Sequence, residues 1–385
     1  MPGARTSRSE IVCKIGSEAN DRASRESCAR FAYAVQHVEE NPYPGVAARG
    51  VIRVQRKALD ILACRKCEEA LRIASIVSED AAGDIIEGEL ACSSCGAAVP
   101  VVRYLPRFVA SDSYAASFGF QWNRFDRLQV DKFMHNDLSR DRFYATTGWP
   151  ARLEGQRILE AGCGSGRFTQ LALETGAEVC SFDLSSAVDA AWRNNAGSPK
   201  LTLFQASIYE IPLRKESFDK IFCMGVLQHC PDVRGAFLAL LPFLKPGGEV
   251  VIDVYEKKSG FPKLKYIARP FFRPLGTKGT YRVLSWIVPA AFEMKKALHR
   301  IPAVGPELAA LIPIGPLSHA ERGLHYTNAE LKQVKILSAL DMLSPVYDQP
   351  QRMEDVRRWF EKAQLIDVKI RHGYNGINAK GKRPA

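Results

Sequence analysis

Between residues 156 and 255 the chain alternates short apolar runs with amphipathic stretches of helical periodicity. That alternation is typical of a parallel sheet with helices packed against it. We predict strands at Arg157–Ala161, Glu178–Phe182, Leu201–Phe204, Asp219–Cys223 and Glu249–Val254. A helix at about Met353–Ala363 and a strand pair at Ile366–Ile370 and Gly376–Lys380 are expected to complete the sheet. The sequence therefore predicts an α/β fold.

A glycine-rich loop follows the first predicted strand, in the segment ILEAGCGSGRFTQLAL at residues 158–173. The strand ends near Glu160, glycines stand at positions 162, 164 and 166, and a helix begins near Arg167. Glycines at this point let the backbone approach a ligand closely at the carboxyl edge of the sheet. A dinucleotide fingerprint needs a further glycine where Arg167 stands, and no Lys-Ser/Thr pair of P-loop type is present. The spacing therefore excludes the two commonest phosphate-binding loops.

An acidic residue ends the second predicted strand, since Asp183 lies 21 residues after Gly162. A carboxylate at this position can accept both hydroxyls of a ribose, while Glu160 offers a negative partner to a ligand ammonium or a loop amide. S-adenosylmethionine, a nucleoside with a cationic amino-acid tail and no phosphate, fits this pattern. The alternative interpretation is a glycine turn that only eases helix packing.

The motifs EAGCGSG, FDLS, ASIYEIPL, ESFDKIFCMGVLQHCPD and LKPGGEVVIDV together resemble the class I S-adenosylmethionine-dependent methyltransferases, particularly the small-molecule branch that includes quinone-biosynthesis enzymes. The resemblance covers residues 156–255 and the C-terminal helix and strands. It implies a Rossmann-like sheet of seven strands. The implied donor-binding residues are Glu160, Gly162, Gly164, Gly166, Asp183, Ser207 and Ile208.

The resemblance also assigns roles within that set. Gly162 and Gly164 line the methionine and ribose, Asp183 holds the ribose diol, and Ser207 with Ile208 flanks the adenine. Many relatives carry Asp where Ser207 stands, so adenine recognition here is expected to rely more on backbone amides. The Pro-Gly-Gly run at residues 246–248 is interpreted as a turn before the fifth strand.

His229 follows the fourth predicted strand, at the sheet edge where such folds hold substrate. Methyl transfer needs a base only when the acceptor is a group such as a hydroxyl, and an imidazole with a pKa near 6.5 suits that role. His229 is thus the candidate catalytic residue, the alternative being a side chain that packs or caps the next helix.

Upstream of the sheet, the segment SFGFQWNRF either closes the pocket or packs in the core. Asp341, Tyr347 and Asp348 are placed near the acceptor by the resemblance.

Four of the ten cysteines form two CxxC pairs, namely Cys64, Cys67, Cys92 and Cys95. Their spacing is close to that of tetrahedral structural zinc sites, in which four thiolates leave no open position for chemistry. The segment resembles the small zinc-ribbon protein that accompanies some tRNA and protein methyltransferases. The alternative is four thiols without metal. We divide the chain into a basic, flexible extension (1–56), a zinc ribbon (57–109), an aromatic linker or lid (110–150) and the methyltransferase domain (151–385).

Basic residues concentrate in an insertion after the fifth strand. The whole chain carries a net charge of +11, and residues 256–335 hold 14 Lys or Arg against 5 Glu, a net of +9. The same segment is rich in aromatic residues, which favours an amphiphilic acceptor or peripheral contact with a membrane surface over a phosphate track. A solvated lid face without a partner is the alternative interpretation.

Three functions follow as hypotheses. The favoured one is methyl transfer to a small or lipid-like acceptor, with an RNA methyltransferase and a non-catalytic partner protein as alternatives. RNA is disfavoured because CMGV stands where an NPPY-type motif would follow the fourth strand.

No apolar run approaches the roughly 20 residues needed to span a bilayer, and no signal-type segment follows the first residues, so a cytoplasmic protein is expected. Neither the acceptor nor the oligomeric state follows from the sequence.

Overall fold

The structure is a computed structural model that describes residues 57–81, 83–109, 113–257, 264–314, 317, 324 and 326–385. The predicted basic extension at residues 1–56 and parts of the predicted insertion lie outside the described residues. Among the helices that are described, none combines the length and hydrophobicity needed to cross a bilayer.

The cysteine ribbon, residues 57–109, is an antiparallel sheet of four strands. They are β1 (Leu71–Glu79), β2 (Ile85–Cys92), β3 (Ala98–Val102) and β4 (Leu105–Pro106), paired in that order. Gly83, with a φ of +80°, makes the tight connection between β1 and β2. One CxxC pair precedes β1 and the other begins at the last residue of β2, and the pairing of Leu71 with Cys92 brings them together.

The segment expected to be a linker folds into three helices: α1 (Ala116–Arg124), α2 (Asp131–Met134) and α3 (Leu138–Thr147). The last helix ends at Gly148, which adopts the left-handed conformation that commonly terminates helices. These helices pack against the main sheet and carry side chains to its functional edge.

The main sheet has seven strands, as predicted, and confirms the α/β fold. Its elements are β5 (Arg157–Ala161), α4 (Arg167–Glu174), β6 (Glu178–Asp183), α5 (Ala187–Asn195), β7 (Leu201–Gln205), β8 (Phe218–Met224), α6 (Val233–Leu238), β9 (Leu244–Val254), α11 (Met353–Lys362), β10 (Ile366–Gly373) and β11 (Gly376–Lys382). The strand order is β10-β11-β9-β8-β5-β6-β7. Because β6 and β8 flank β5 on opposite sides, the chain reverses its direction of winding beside β5. Ligands bind at such a reversal in open α/β sheets.

The Pro-Gly-Gly run differs from its prediction as a turn, because it lies inside β9. Phe218 pairs with Leu244 and Lys220 with Glu249, so the residues between Leu244 and Glu249 bulge out of the ladder. Gly247 has a φ of +73°, which suits the bulge. The strand therefore begins before the run and resumes after it.

The cysteine ribbon covers the β7 edge of the main sheet. The Phe108 N–H donates to the Gln205 carbonyl at 2.8 Å, and Arg107 pairs with Asp189 on α5 at 2.6 Å. Apolar side chains of the ribbon and of the sheet belong to one hydrophobic cluster. An edge covered in this way is no longer open to pairing with another chain.

Between β9 and α11 the described residues form four α-helices: α7 (Leu264–Phe272), α8 (Gly276–Leu298), α9 (Gly305–Ala310) and α10 (Asn328–Leu343). Leu284 and Val288 of α8 share a buried cluster with Leu337 and Leu340 of α10 and with Phe125 after α1. The predicted end of the insertion at residue 335 therefore falls inside a helix. This helical layer stands over the edge of the sheet at which β5 and β6 end.

Candidate active site

The glycine loop is bonded to the end of β6. The N–H groups of Gly162 and Cys163 donate to the Phe182 carbonyl at 2.8 and 3.1 Å. Gly162 has a φ of +79°, and a Cβ there would meet a Val226 methyl at 2.4 Å. No other residue type fits this position without a shift of the loop after β8. The loop is thus held in contact with both neighbouring strands.

Asp183, at the end of β6, ties the loop to the cavity. Its Oδ2 accepts a hydrogen bond from the Gly164 N–H at 3.0 Å, and its Oδ1 accepts from the N–H and hydroxyl of Ser185 at 2.8 and 2.7 Å. These contacts orient the carboxylate before any ligand binds. Gly162, Gly164, Asp183 and Ile208, four of the predicted donor-binding residues, line one cavity.

That cavity has a volume of about 360 Å³, within the range of small-molecule sites. The glycine loop forms its floor, while α1 and α10 supply side chains from above, including Phe118, Trp122 and Asp341. A Cβ added at Gly164 would lie 3.2 Å from the Trp122 indole nitrogen. The aromatic segment therefore lies directly over the loop. Its side chains both cover the cavity and pack against their neighbours, which are the two roles predicted as alternatives.

Three predicted donor-binding residues do not line the cavity. Gly166 packs against α5, where a Cβ would meet the Asn195 amide nitrogen at 2.3 Å. The Ser207 hydroxyl accepts from the Tyr209 N–H at 3.2 Å. Glu160 is buried to 1% exposure below the loop, and its Oε2 accepts from the hydroxyls of Thr169 and Ser181 at 2.5 and 2.7 Å. Their contribution to donor binding stays a prediction.

A buried ion pair lies beside the cavity. Arg142 of α3 donates through Nε and Nη2 to Asp253 Oδ2 at 3.3 and 3.0 Å, and the Asn375 amide donates to Oδ1 at 3.0 Å. Arg142 and Asn375 border the cavity, whereas Asp253 is fully buried in β9. Sequence reasoning missed this group, although an Asp inside the apolar run VVIDV was a signal that a buried charge needs a partner.

Arg167, the first residue of α4, brings a second guanidinium to the cavity. It donates to the Gln129 side-chain carbonyl at 2.6 Å. Burial lowers the pKa of Arg167, but a guanidinium remains charged at neutral pH. The end of the cavity next to α4 is therefore suited to a carboxylate.

Polar groups on the opposite wall converge on Asp341 of α10. Tyr255 donates its hydroxyl to Oδ2, and the Gln121 amide donates to Oδ1, each at 3.4 Å. The Asp341 charge and burial raise the pKa of Tyr255, so the phenol remains a donor at neutral pH. Tyr255 was missed as a site residue because it follows the last residue of a strand with no motif of its own.

His229 lies at the cavity wall in a short 3₁₀ turn after β8. Its Nδ1 is 2.9 Å from the Tyr347 carbonyl, and its ring packs against Phe118 and Tyr255 with centroids 4.8 and 5.5 Å away. A carbonyl only accepts, so Nδ1 carries the proton. In the neutral imidazole, Nε2 is then the nitrogen left to accept a proton.

The segment around Tyr347, whose carbonyl contacts His229, is anchored by α7 of the insertion. Arg269 of α7 pairs with Asp348 at 3.3 Å and donates to the Pro345 carbonyl. The segment carrying Tyr347 is thus bonded on both sides of that residue. Gln228, which precedes His229, is fully buried and does not border the cavity.

The four ribbon cysteines form a compact cluster. The Cys64–Cys95 and Cys67–Cys92 sulfur pairs are 3.6 and 3.4 Å apart, and all four sulfurs lie within 4.8 Å of one another. Sulfurs bound tetrahedrally to zinc at 2.3 Å would stand about 3.8 Å apart, whereas a disulfide requires about 2.05 Å. The N–H groups of Lys66 and Cys95 point at Cys64 and Cys92 sulfurs, at 3.4 and 3.5 Å. The donor set and its geometry fit zinc.

Glu160 is expected to make stability depend on pH. Burial raises its pKa from about 4.5 to about 7, so the folded state binds a proton more tightly than the unfolded chain. The resulting stabilisation is complete below pH 4.5 and is lost as pH rises to about 7, a change of roughly 3 kcal/mol. Glu160→Gln should remove this component. Urea unfolding of the wild type and of Glu160→Gln at about pH 5 and pH 8 measures this part of the free energy of unfolding. If that free energy changed equally with pH in both proteins, the prediction would be contradicted.

Comparisons with known proteins indicate the kind of domain that carries this cavity. A family model described as a methyltransferase domain matches residues 159–252. The ubiquinone biosynthesis O-methyltransferase of Xanthomonas axonopodis pv. citri is 28% identical over 194 residues, covering 47% of this chain and 80% of that protein. The protein of that name from Alkalilimnicola ehrlichii is 29% identical over 144 residues, covering 37% of this chain and 58% of the relative, which is less than two thirds of its length.

Two solved structures are also similar in part. An S-adenosylmethionine dependent methyltransferase from Mesorhizobium loti is 30% identical where it matches, covering 28% of this chain and 50% of its own with a TM-score of 0.26. Phosphoethanolamine N-methyltransferase 2 from Haemonchus contortus is 15% identical, covering 69% and 60% of the two chains with a TM-score of 0.38. The seven-stranded sheet and the sequence matches agree: residues 159–252 form a methyltransferase domain, and the relatives support its assignment to the class I S-adenosylmethionine-dependent type.

Proposed function

We propose that this methyltransferase acts on a hydroxyl oxygen of a small or lipid-like acceptor, with His229 as the base. The observation that carries the proposal is the 2.9 Å contact between His229 Nδ1 and the Tyr347 carbonyl, which leaves Nε2 as the basic nitrogen beside the cavity. The relatives named as O-methyltransferases support oxygen as the atom methylated.

The cavity divides into a donor side and an acceptor side. Asp183 and the glycine loop would hold the ribose, Ile208 would lie against the adenine, and Arg167 would meet the carboxylate of the amino-acid tail. Asp341, Tyr255 and His229 occupy the other wall and would orient the acceptor. A site of this kind accelerates methyl transfer chiefly by positioning the two partners in line.

S-adenosylmethionine supplies a methyl group bonded to a sulfonium sulfur. The acceptor hydroxyl loses its proton to His229 Nε2 while its oxygen bonds to the methyl carbon and the carbon–sulfur bond breaks. The products are S-adenosylhomocysteine, a methyl ether and a protonated imidazole, which then releases its proton to water. Phe118 and Trp122 exclude water above the reacting groups.

We further propose that Cys64, Cys67, Cys92 and Cys95 hold a structural zinc ion. The N–H groups of Lys66 and Cys95 point at the Cys64 and Cys92 sulfurs, and hydrogen bonds of this kind stabilise the thiolates that a metal requires. With four cysteine ligands the ion would have no open position. It would brace the ribbon against the sheet and take no part in methyl transfer.

His229→Ala is expected to lower kcat by about 10²- to 10⁴-fold, because the acceptor then keeps its proton in the transition state. Methyl transfer from S-adenosylmethionine to a panel of phenols and hydroxylated lipids measures this effect. Affinity for S-adenosylhomocysteine, measured by calorimetric titration, should stay within about twofold because the ring lies on the acceptor side.

Asp183→Ala is the control for donor binding, because Asp183 lies on the donor side of the cavity. It should weaken S-adenosylhomocysteine binding by roughly 10- to 100-fold, since it removes charge-assisted hydrogen bonds to the ribose. Donor binding with no turnover over the whole panel would contradict catalysis on such acceptors. Full activity of His229→Ala would instead overturn the role of the histidine as the base.

A further inference from the structure

We infer that the outer face of α8 is a docking surface for an anionic membrane, independent of the chemistry proposed above. Exposed large apolar side chains are unusually frequent in this region. Of the 17 such residues in the described part of the chain, 10 lie within residues 264–314. They are Ile267, Phe271, Leu275, Trp286, Ile287, Met294, Ile301, Val304, Leu308 and Leu311. Exposed apolar side chains grouped in this way mark an interaction surface.

The exposed residues of α8 form a single stripe. At 100° per residue, Trp286, Ile287, Ala290, Met294 and Ala297 fall on one side of the helix, and all are exposed, with Trp286 at 83%. The opposite side carries the buried residues Leu284, Val288 and Phe292. The helix is therefore apolar on both faces, and among the residues that the structure describes only its inner face is covered.

Basic residues border the stripe along one flank. Lys278, Arg282 and Lys296 of α8 recur at spacings of 4 and 14 residues, which places them in one row beside Trp286, and Arg300 follows two residues after the end of the helix. The single acidic residue of the helix, Glu293, is paired with Lys332 at 2.6 Å. Of the charged residues within 266–314, Arg273, Lys278, Arg282 and Arg300 are exposed, against Glu293 and Glu307. The surface thus presents positive charge next to exposed apolar groups.

An anionic lipid bilayer matches both properties at once. Amphipathic helices with Lys and Arg on one flank and Trp, Ile or Met on the other lie in the membrane interface, and tryptophan favours the headgroup level. A nucleic acid would satisfy the charges but would leave Ile287 and Met294 in water. A second copy of this chain would bring two basic rows together, which is unfavourable.

The docking surface on α8 lies close to the cavity. The inner face of this helix packs on α10, which contributes Leu337 and Asp341 to the cavity wall. A chain seated on a membrane through α8 would therefore hold its cavity within one helix layer of the lipid. That arrangement suits an acceptor that partitions into the bilayer.

Sedimentation of the full chain with vesicles tests the inference. Binding should be strong to vesicles of equal phosphatidylglycerol and phosphatidylcholine and at least tenfold weaker to phosphatidylcholine alone, because the basic row needs an anionic surface. Arg282→Gln combined with Arg300→Gln should weaken binding roughly 30-fold, at about fivefold per charge. Trp286→Ala should weaken it about tenfold through lost apolar burial.

Matched variants separate this surface from the rest of the molecule. Val77→Ser removes an exposed apolar residue of β1, and Arg357→Gln removes an exposed charge of α11, and neither should alter vesicle binding. Brominated acyl chains should quench the tryptophan emission of the wild type, while Trp286→Phe should still bind without that quenching.

Several results would overturn the inference. Equal binding to neutral and anionic vesicles would do so, as would α8 variants that bind like the wild type. Affinity for RNA that falls in the double arginine variant without lipid quenching would assign the surface to nucleic acid. A dimer that dissociates on Trp286→Ala would assign it to a second copy. Affinity for S-adenosylhomocysteine should be unchanged in every α8 variant, so failure here leaves the proposed chemistry untouched.

Discussion

Asp253→Ala is expected to lower the free energy of unfolding by about 3–5 kcal/mol, among the largest effects of any single substitution in this chain. Asp253 is fully buried in β9, and its carboxylate faces the guanidinium of Arg142 and the amide of Asn375. Removing it leaves Arg142, which is only 9% exposed, without its charge partner beside the sheet. Unfolding in urea, followed by circular dichroism, measures the loss.

Two further variants show whether the loss comes from the uncompensated charge. Asp253→Asn keeps the volume and one acceptor oxygen for Arg142, but it removes the charge and puts an amide nitrogen where an oxygen accepts from Asn375, so it should still cost less than the alanine variant. Arg142→Met combined with Asp253→Leu removes both charges and should restore part of the stability lost in Asp253→Ala. A double variant less stable than Asp253→Ala would show that the pair itself contributes the stability.

Removal of zinc is expected to produce the other large effect, a loss of about 5 kcal/mol or more, since binding of a structural zinc is coupled to folding. The ribbon shares a hydrophobic cluster with the β7 edge of the sheet, so its loosening would expose Phe204 as well as its own apolar residues. We therefore expect a chelator to lower the melting temperature of the whole chain. Elemental analysis should find one zinc per chain.

Cys64→Ser provides the control for the metal. The variant should contain no stoichiometric zinc, should melt near the temperature of the chelated wild type, and should not respond to the chelator. A wild type that carries no metal, or one whose melting temperature ignores the chelator, would contradict the zinc proposal. A cluster of free thiols would then be the correct description of the four cysteines.

The positions of the strands were predictable because their physical signals are local. Arg157–Ala161 forms a strand with the predicted bounds, and most other predicted strands differ by one or two residues at their ends. The glycine loop and Asp183 were recognisable because positive φ and an acidic strand end leave a mark in the sequence. The Pro-Gly-Gly run was misread because a bulge and a turn use the same residue types.

The cavity wall above the loop was less predictable, because its residues are far apart in the chain. Arg142 lies in α3, Tyr255 follows β9, and Asn375 lies in the turn between β10 and β11. Arg142 and Asn375 meet Asp253 through hydrogen bonds that span 111 and 122 residues of sequence. No periodicity or motif connects them. The role of His229 likewise depends on a carbonyl 118 residues away.

Local spacing in this chain was enough to predict the α/β sheet, the glycine loop, the paired cysteines and the basic insertion, since each depends on residues close together along the backbone. Long-range packing settled the rest. It positions the ribbon on the sheet edge and the aromatic segment over the loop. It also determines the tautomer of His229 and which face of α8 is buried and which is exposed. These features arise where distant elements meet, and such contacts depend on how the whole chain fills its core.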